Sequence, residues 1–252
     1  MNKLYTKSEI LFSIMWIVIY IVGTIILDNI SALLHITNFF TPVFYILITL
    51  ALLVWIFKNQ LNSKYGLCKS PFRLKYFLFF IPLVVLVSIN FWFGVKLDTG
   101  IFESVVFIIN MLCVGFLEEI IFRGFLFKAM EKDGLKVAIL VSSLTFGFGH
   151  IINLFVADAN LILTLLQICY ATTTGLLFVI IFYRGKTLLP CIITHSVFNA
   201  LSLFSASTSI TLSIVTAVIM MVLTLLYALV LIKVLPKENS EPINNKSSVL
   251  NK

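Results

Sequence analysis

Charged side chains are scarce in this 252-residue sequence. Asp, Glu, Lys and Arg make up only 12% of it, whereas 60% of the residues are hydrophobic and the mean hydropathy is +1.09. Soluble domains carry about 25% charged residues, so the composition excludes an ordinary soluble protein. It predicts a polytopic membrane protein.

Paired cysteines and processing signals are also lacking. The four cysteines have no paired spacing, which argues against a disulfide framework or a zinc knuckle: Cys68, Cys113, Cys169 and Cys191. The first apolar run lacks a small-residue cleavage site and is long enough to span, so we expect a retained helix rather than a removed signal peptide. Neither an internal repeat nor a second domain is evident.

Long apolar runs are what the sequence has in abundance. Eight of them approach the roughly 20 residues that cross a bilayer: 9–27, 40–57, 76–95, 101–128, 136–155, 161–183, 188–205 and 209–233. They predict an all-α bundle of about eight transmembrane helices within residues 1–235. The Asn- and Ser-containing segment 236–252 is predicted to be a disordered cytoplasmic tail.

Basic residues divide unequally between the two sides of this bundle. With the amino terminus placed inside, only Lys96 of the 18 Lys and Arg residues falls outside, which leaves 17 inside. Because cytoplasmic loops are rich in Lys and Arg, both termini are predicted to be cytoplasmic. The net charge of +7 is therefore explained by cytoplasmic loops beside membrane lipids, which are the expected partners. Nucleic acid is not expected as a partner. The basic segment 60–75 either lies along the anionic inner leaflet or forms a solvated loop.

Three charged residues interrupt the fourth apolar run. Each charge at the bilayer centre costs about 2.5–3.5 kcal/mol, so such groups are functional candidates. Glu119 and Arg123 are four residues apart and share a helix face, whereas Glu118 is rotated away from both. Glu118 therefore lacks a partner in its own helix, which suits a carboxylate that exchanges protons with water or substrate. The alternative is that all three charges only lock helices together.

Two histidines and an asparagine are the other notable polar residues in apolar runs. His150 ends the sequence Phe-Gly-Phe-Gly-His, whose glycines, Gly147 and Gly149, would let a neighbouring helix approach closely. His195 and Asn199 are four residues apart and project from one face. At 1.5 Å per residue, Glu118 lies roughly 15–18 Å, His150 roughly 20 Å and His195 roughly 10 Å from the inner helix ends, so the three can meet in the cytoplasmic half.

Taken together, Glu-Glu-x-x-x-Arg, Phe-Gly-Phe-Gly-His and His-x-x-x-Asn resemble the CPBP (Abi) family of intramembrane proteases. That family includes type II CAAX prenyl endopeptidases and bacterial proteins linked to bacteriocin processing and self-immunity. The resemblance covers a motif-bearing core at 101–205. It implies that Glu118 and His150 activate a water and that His195 and Asn199 stabilise the oxyanion. It also implies that Arg123 holds Glu119 as structural support.

A metal remains an alternative. Glu118, His150 and His195 supply the two-imidazole, one-carboxylate ligand set of a catalytic zinc site. Against zinc, no His-Glu-x-x-His occurs on one helix, and the resemblance favours a metal-independent glutamate mechanism. We expect no metal and no other cofactor.

Three functions are compatible with these residues. The first is an intramembrane endopeptidase that acts near the cytoplasmic face of a bacterial cytoplasmic membrane. The second is a non-catalytic binding or self-immunity protein that uses the same polar cluster. A transporter is the third, although the absence of internal symmetry argues against it. The abundance of Ile, Lys, Asn and Phe is typical of a low-GC bacterium, where prenylated substrates are not expected, so a leader or signalling peptide is the predicted substrate.

Overall fold

A computed structural model describes residues 1–36, 39–70, 80–155 and 160–235. These residues form ten α-helices: α1 Asn2–Lys7, α2 Glu9–Leu34, α3 Phe40–Lys58, α4 Pro82–Ser88, α5 Ile101–Glu118, α6 Lys128–Glu131, α7 Leu135–Gly149, α8 Leu161–Gly185, α9 Leu189–Leu201 and α10 Ile210–Val234. A π-helical segment, Glu119–Phe127, joins α5 to α6, and 3-10 turns follow α4, α7 and α9. Within these ranges there is no β-strand beyond an isolated bridge between Val95 and Ser205. The predicted all-α fold is confirmed.

The long helices account for six of the eight predicted runs. Six described helical segments are long and apolar enough to cross a membrane: Glu9–Leu34, Phe40–Lys58, Ile101–Glu131, Leu135–Leu154, Leu161–Gly185 and Ile210–Val234. The other two runs coincide with shorter apolar helices, Pro82–Phe91 and Leu189–Phe204. The first of these has ten residues and rises about 15 Å, roughly half the thickness of a bilayer core. The polytopic membrane fold is confirmed, whereas the number of crossings and the side of the termini stay predictions.

The outer surface of the helices is apolar. Large hydrophobic side chains point outward along α2, α3 and α10, and Leu33 and Leu47 are 79% and 60% exposed. Charged groups, in contrast, are buried between α5 and its neighbours, where Glu119 and Arg123 are both 0% exposed. This inverted distribution stabilises a protein whose surroundings are lipid tails rather than water.

Close helix contacts hold the core around the motif-bearing helices. The α8 helix packs between α7 and α10, and α5 packs along α9. A Cβ atom added to Gly147 would lie 2.8 Å from the backbone oxygen of Ile168, so this glycine permits the contact between α7 and α8, as predicted. Gly149 has nothing within 4 Å of such an atom, and the same prediction for Gly149 is wrong. The spacing alone did not distinguish a helix face that meets a neighbour from one that does not.

The loop after α3 packs against the protein rather than along a membrane surface where it is described. Tyr65 is 1% exposed, and its ring centroid lies 4.9 Å from that of Phe125. Lys64 Nζ donates a hydrogen bond of 2.7 Å to Glu9, which ties this loop to the start of α2. For Tyr65 the proposed contact with the inner leaflet is therefore wrong. The rest of that segment, 71–75, and the predicted tail 236–252 lie outside the described residues.

Candidate active site

The π-helical segment carries the predicted ion pair. Arg123 Nη1 donates to Glu119 Oε1 at 3.0 Å, and both side chains are fully buried. The predicted pairing is confirmed, although the backbone there is π-helical rather than α-helical. Ser142 on α7 donates to the backbone oxygen of Phe122 at 2.9 Å and satisfies one carbonyl of the segment. Short π-helical stretches of this kind are often found at functional sites.

The Arg123 guanidinium also stacks on an aromatic ring. Its central carbon lies 3.9 Å from the ring centroid of Phe146. Gly175 on α8 makes room for this arrangement, because an added Cβ would lie 3.1 Å from Arg123 Nη2. A cation over an aromatic face is stabilised by the ring quadrupole, and the effect grows when water is excluded. The ion pair is therefore enclosed by α5, α7 and α8.

His195 on α9 lies between the two glutamates. Its Nδ1 is 2.8 Å from Glu119 Oε1, and its Nε2 is 3.5 Å from Glu118 Oε2. Because an ionised carboxylate only accepts hydrogen bonds, Nδ1 carries the hydrogen of the shorter contact. Nε2 is then the nitrogen that faces Glu118. The structure thus brings three of the predicted site residues into direct contact.

Glu118 has a partner that the sequence did not reveal. The Tyr20 hydroxyl on α2 donates to Glu118 Oε1 at 2.8 Å. Nearby, Thr24 donates to the Tyr20 backbone oxygen at 2.7 Å and lies 2.8 Å from the Tyr45 hydroxyl. Thr24 has a single hydroxyl hydrogen, so Tyr45 is the donor of the second contact. Tyr20 therefore contacts the Glu118 carboxylate directly, and Tyr45 on α3 packs against Tyr20 with ring centroids 5.4 Å apart.

His150 is held by amide side chains. Gln167 Nε2 on α8 lies 3.4 Å from His150 Nδ1, and Asn153 Nδ2 donates to Gln167 Oε1 at 2.9 Å. The contact at Nδ1 leaves Nε2 as the nitrogen that can face a bound molecule. An imidazole fixed at one nitrogen presents the other in a defined direction, as general acid–base chemistry needs.

Two small cavities connect the predicted residues. One, of about 180 Å³, is lined by Glu118, His150, Tyr20 and Tyr45. The other, of about 90 Å³, is lined by His150, His195 and Asn199. Each volume exceeds the roughly 10–15 Å³ that one water requires.

Phe146 lines both cavities and contacts both histidines. Its ring meets His150 edge to face at 5.6 Å and His195 at 5.7 Å between centroids. Arg123 is stacked on the same ring. Three of the predicted residues therefore pack against Phe146.

Asn199 is placed on the cavity wall without a direct contact to the charged cluster. It lies one turn after His195 on α9, as its spacing predicts, and lines the same cavity of about 90 Å³. Its backbone oxygen accepts a hydrogen bond of 2.7 Å from Ser202. Asn199 therefore shares a cavity with both predicted histidines.

The donor set considered for zinc is not gathered as a metal site. Among the residues that the structure describes, no group of three His, Cys, Asp or Glu side chains is arranged to hold a metal ion. Glu118 and His195 approach one another at 3.5 Å, and both histidines contact the Phe146 ring. The metal-free mechanism stays a prediction.

A larger apolar groove lies beside the smaller cavity. It has a volume of about 840 Å³ between α4 and α9, and Leu83, Val84 and Ile193 are among its lining residues. Thr194 lines both this groove and the cavity that contains His195. The groove therefore adjoins the polar cluster from the side of the two short helices.

The family comparison agrees with this geometry. Residues 100–201 match a protein-family model described as type II CAAX prenyl endopeptidase Rce1-like. The match covers 102 of the 252 residues. The Rce1-like segment runs from the start of α5 to the end of α9 and contains all six predicted site residues. The resemblance to the CPBP family is thereby confirmed, and the family is one of membrane proteases. No curated protein and no solved structure is significantly similar to the chain.

Several supporting residues were missed from the sequence. Tyr20 and Tyr45 lie outside the Rce1-like segment, and Gln167 and Gly175 lie inside it. The available signal was slight: Tyr20 and Thr24 are hydroxyl-bearing residues four apart in an apolar helix. Because tyrosine hydroxyls are common at helix ends and interfaces, that spacing alone does not identify a catalytic partner.

Proposed function

We propose that the protein is an intramembrane endopeptidase in which Glu118 is the general base. It hydrolyses a peptide bond of a membrane-associated peptide or protein. The observation that carries this proposal is the cavity of about 180 Å³ that Glu118 and His150 share. Both of these residues belong to the Rce1-like segment. That cavity has room for a water next to a carboxylate.

The chemistry proceeds in two steps. In the first, Glu118 accepts a proton from water as the water oxygen attacks the peptide carbonyl carbon, and His150 orients that water. The carbonyl oxygen becomes an oxyanion, which His195 and Asn199 stabilise as donors. In the second, the carbon–nitrogen bond breaks and Glu118 returns the proton to the leaving amine. For His195, Nε2 is the nitrogen left to contact the oxyanion, because Nδ1 is engaged with Glu119.

Support for this assignment comes from the different surroundings of the polar groups. Glu118 lines a cavity, whereas Glu119 is fully buried against Arg123 and His195. A base must reach the water from which it removes a proton. Of the two glutamates, Glu118 has that access.

The decisive variant is Glu118→Gln, which keeps the size of the side chain but cannot accept the water's proton. Membranes containing wild-type protein, Glu118→Gln or Glu103→Gln are compared by peptidomics. Glu103 is a matched control, because it is an exposed glutamate in the first turn of the same α5 helix. We expect the same cleavage products with wild type and Glu103→Gln, and none with Glu118→Gln.

Two results would overturn the proposal. Undiminished cleavage by Glu118→Gln would exclude it as the base. Equal peptide profiles with wild type and with no protein at all would favour the binding or self-immunity function. The abundance of Glu118→Gln in the membrane must match that of wild type, so that a loss of cleavage reports chemistry.

We also propose that catalysis uses no metal ion. The geometry supports this proposal, because no group of three His, Cys, Asp or Glu side chains in the described part of the chain is arranged to hold a metal ion. Elemental analysis of purified, active protein is expected to give less than stoichiometric zinc, and activity should resist chelators. One zinc per active chain, lost in both His150→Ala and His195→Ala, would contradict the metal-free mechanism.

The proposed substrate is a leader or signalling peptide that reaches the site from within a bacterial cytoplasmic membrane. The apolar groove between α4 and α9 supports entry of an apolar segment, since Thr194 connects it to the His195 cavity. Ile193 lines the groove, and Ile193→Trp should obstruct a long substrate. Val230→Trp, on the outward face of α10, is the matched control.

A further inference from the structure

A polar vestibule, whose lining residues differ from those of the apolar groove, borders Tyr20, the hydrogen-bond partner of Glu118. It has a volume of about 570 Å³ between α2, α3 and α5. Four of its eleven lining residues are apolar, and seven carry a hydroxyl, carboxylate, imidazole or amide group: Tyr20, Asp28, Ser31, His35, Thr41, Tyr45 and Asn110. Thr41 donates a hydrogen bond to the Asp28 carboxylate, which joins α3 to α2 at the mouth. Polar residues inside a membrane bundle usually face a water-filled cavity or one another.

The vestibule extends from the ends of the helices toward the bilayer centre. Asp28 lies near the carboxyl end of α2, and Tyr20 is eight residues earlier on the same helix. At 1.5 Å per residue this separation is about 12 Å along the helix axis. The vestibule therefore spans a large part of the distance from a membrane surface to Glu118.

Tyr20 and Tyr45 form the common wall of the vestibule and the site. Both residues line the vestibule and also the cavity of about 180 Å³ that contains Glu118 and His150. The Tyr20 hydroxyl on this wall donates directly to Glu118. The vestibule therefore adjoins the cavity of the proposed base at these two tyrosines.

The chemistry of the lining fits water better than a peptide or a lipid chain. Asn110 Oδ1 is buried, and no protein group in the described part of the chain donates a hydrogen bond to it. Buried polar atoms that lack a protein partner are commonly satisfied by water. The volume accommodates many waters, and the hydroxyl and amide groups supply the two to four partners that each ordered water needs.

We propose that the vestibule conducts water from the membrane face at the α2–α3 connection to Glu118. This inference rests on the proposed function, because hydrolysis consumes one water for each bond cleaved. It assigns water and substrate to different routes. Water comes through the polar vestibule, whereas the peptide segment comes from the apolar groove between α4 and α9.

The test compares two cysteines at one depth on α5. Asn110→Cys places a thiol on the vestibule wall, and Ile109→Cys places one next to it on the lipid-facing surface, where Ile109 is 42% exposed. Cys68, Cys113 and Cys169 are replaced by alanine, while the fully buried Cys191 stays. A charged, membrane-impermeant methanethiosulfonate is added to intact membranes from each side in turn. Thiols react with it as thiolates, which form in water and not in lipid.

We expect Asn110→Cys to react roughly tenfold or more faster than Ile109→Cys, and only from the face of the α2–α3 connection. Equal rates, no reaction, or reaction only from the face of the termini would overturn the proposal. Thr41→Cys, with Val43→Cys as its lipid-facing control, gives a second pair if Asn110→Cys does not fold. The labelling needs no turnover, so failure of the proposed proteolysis would leave this result unaffected.

A second measurement links the vestibule to hydrolysis. Complete modification of Asn110→Cys with a bulky reagent is expected to lower turnover about tenfold or more, because it obstructs the supply of water. The same modification of Ile109→Cys should leave turnover within about twofold of the unmodified protein. Full labelling of Asn110→Cys with unchanged turnover would show that the vestibule does not supply the reaction.

Discussion

Glu118 and Glu119 are adjacent in sequence, yet they occupy opposite kinds of environment. Glu119 is fully buried, bonded to Arg123 at 3.0 Å and to His195 at 2.8 Å. Glu118 lines a cavity and accepts one hydrogen bond of 2.8 Å from Tyr20. One carboxylate is enclosed by protein charges, and the other borders space for a reactant.

This contrast teaches how a membrane protein keeps a reactive carboxylate in an apolar bundle. The Glu119–Arg123 pair is neutral overall, and cation stacking on Phe146 adds to its stabilisation. The pair fixes the helix turn from which Glu118 projects. His195 contacts both carboxylates, so the buried Glu119 also orients the imidazole that faces Glu118. The following three variants test this division between support and chemistry.

The largest expected effect comes from breaking the buried Glu119–Arg123 ion pair. Arg123→Ala leaves Glu119 buried without its cation, and breaking a buried ion pair costs about 3–5 kcal/mol of stability. We expect much less folded protein in the membrane and a lower midpoint of thermal unfolding. Detergent-solubilised protein followed by size-exclusion chromatography and thermal melting measures both.

A double variant controls for the loss of side-chain volume. Glu119→Gln combined with Arg123→Met removes both charges and keeps most of the packing, so it should recover a large part of the lost stability. If Arg123→Ala accumulates and melts like wild type, the ion pair does not support the fold in the way described.

The second variant tests the residue that joins the two environments. His195→Ala should reduce kcat by roughly 10²–10³-fold with little change in KM, as expected when one oxyanion donor is lost. Steady-state kinetics on a substrate found by the peptidomic comparison measures the two constants. A raised KM with an unchanged kcat would instead place His195 in substrate binding.

The smallest expected effect comes from removing the hydrogen bond to Glu118, the carboxylate that borders the cavity. Tyr20→Phe removes only the hydroxyl that donates to Glu118, and hydrogen bonds to charged groups contribute about 1.5–3 kcal/mol. Because the cavity also admits water that can replace the hydroxyl, we expect a loss of about tenfold in kcat, or about 1.4 kcal/mol. Tyr45→Phe is the matched control, because its hydroxyl bonds Thr24 rather than Glu118. Equal losses in both variants would argue against a specific role for Tyr20.

Local features of the site could be predicted well from the sequence. Glu119 and Arg123 are four residues apart, a spacing that places two residues on one face of an α-helix, and they are also in contact in the π-helical segment. The role of Gly147 at a helix contact was also predicted, but the same prediction failed for Gly149, two residues later. Spacing gives the direction of a residue relative to its own helix and does not say whether a neighbour lies there.

Contacts between distant parts of the chain could not be predicted in this way. Tyr20 reaches Glu118 across 98 positions, and His195 reaches Glu119 across 76. Such contacts depend on how each helix is rotated and how deeply it sits against its neighbours. An apolar run with a single tyrosine is compatible with many rotations, because lipid tails accept the remaining side chains on every face.

The sequence by itself determined that this protein is a helical membrane protein, which residues form its long helices, and which six polar residues are candidates for the site. Apolar length and fixed helix geometry suffice for these conclusions, because a bilayer demands continuous backbone hydrogen bonding within each crossing segment. Only the tertiary structure decided that Glu118 borders a cavity while Glu119 is enclosed, that Phe146 contacts both histidines, and that Tyr20 and Tyr45 join the site to a polar vestibule. The physical reason is that cavities arise where packed helices fail to fill space, and that depends on all of the neighbouring side chains at once.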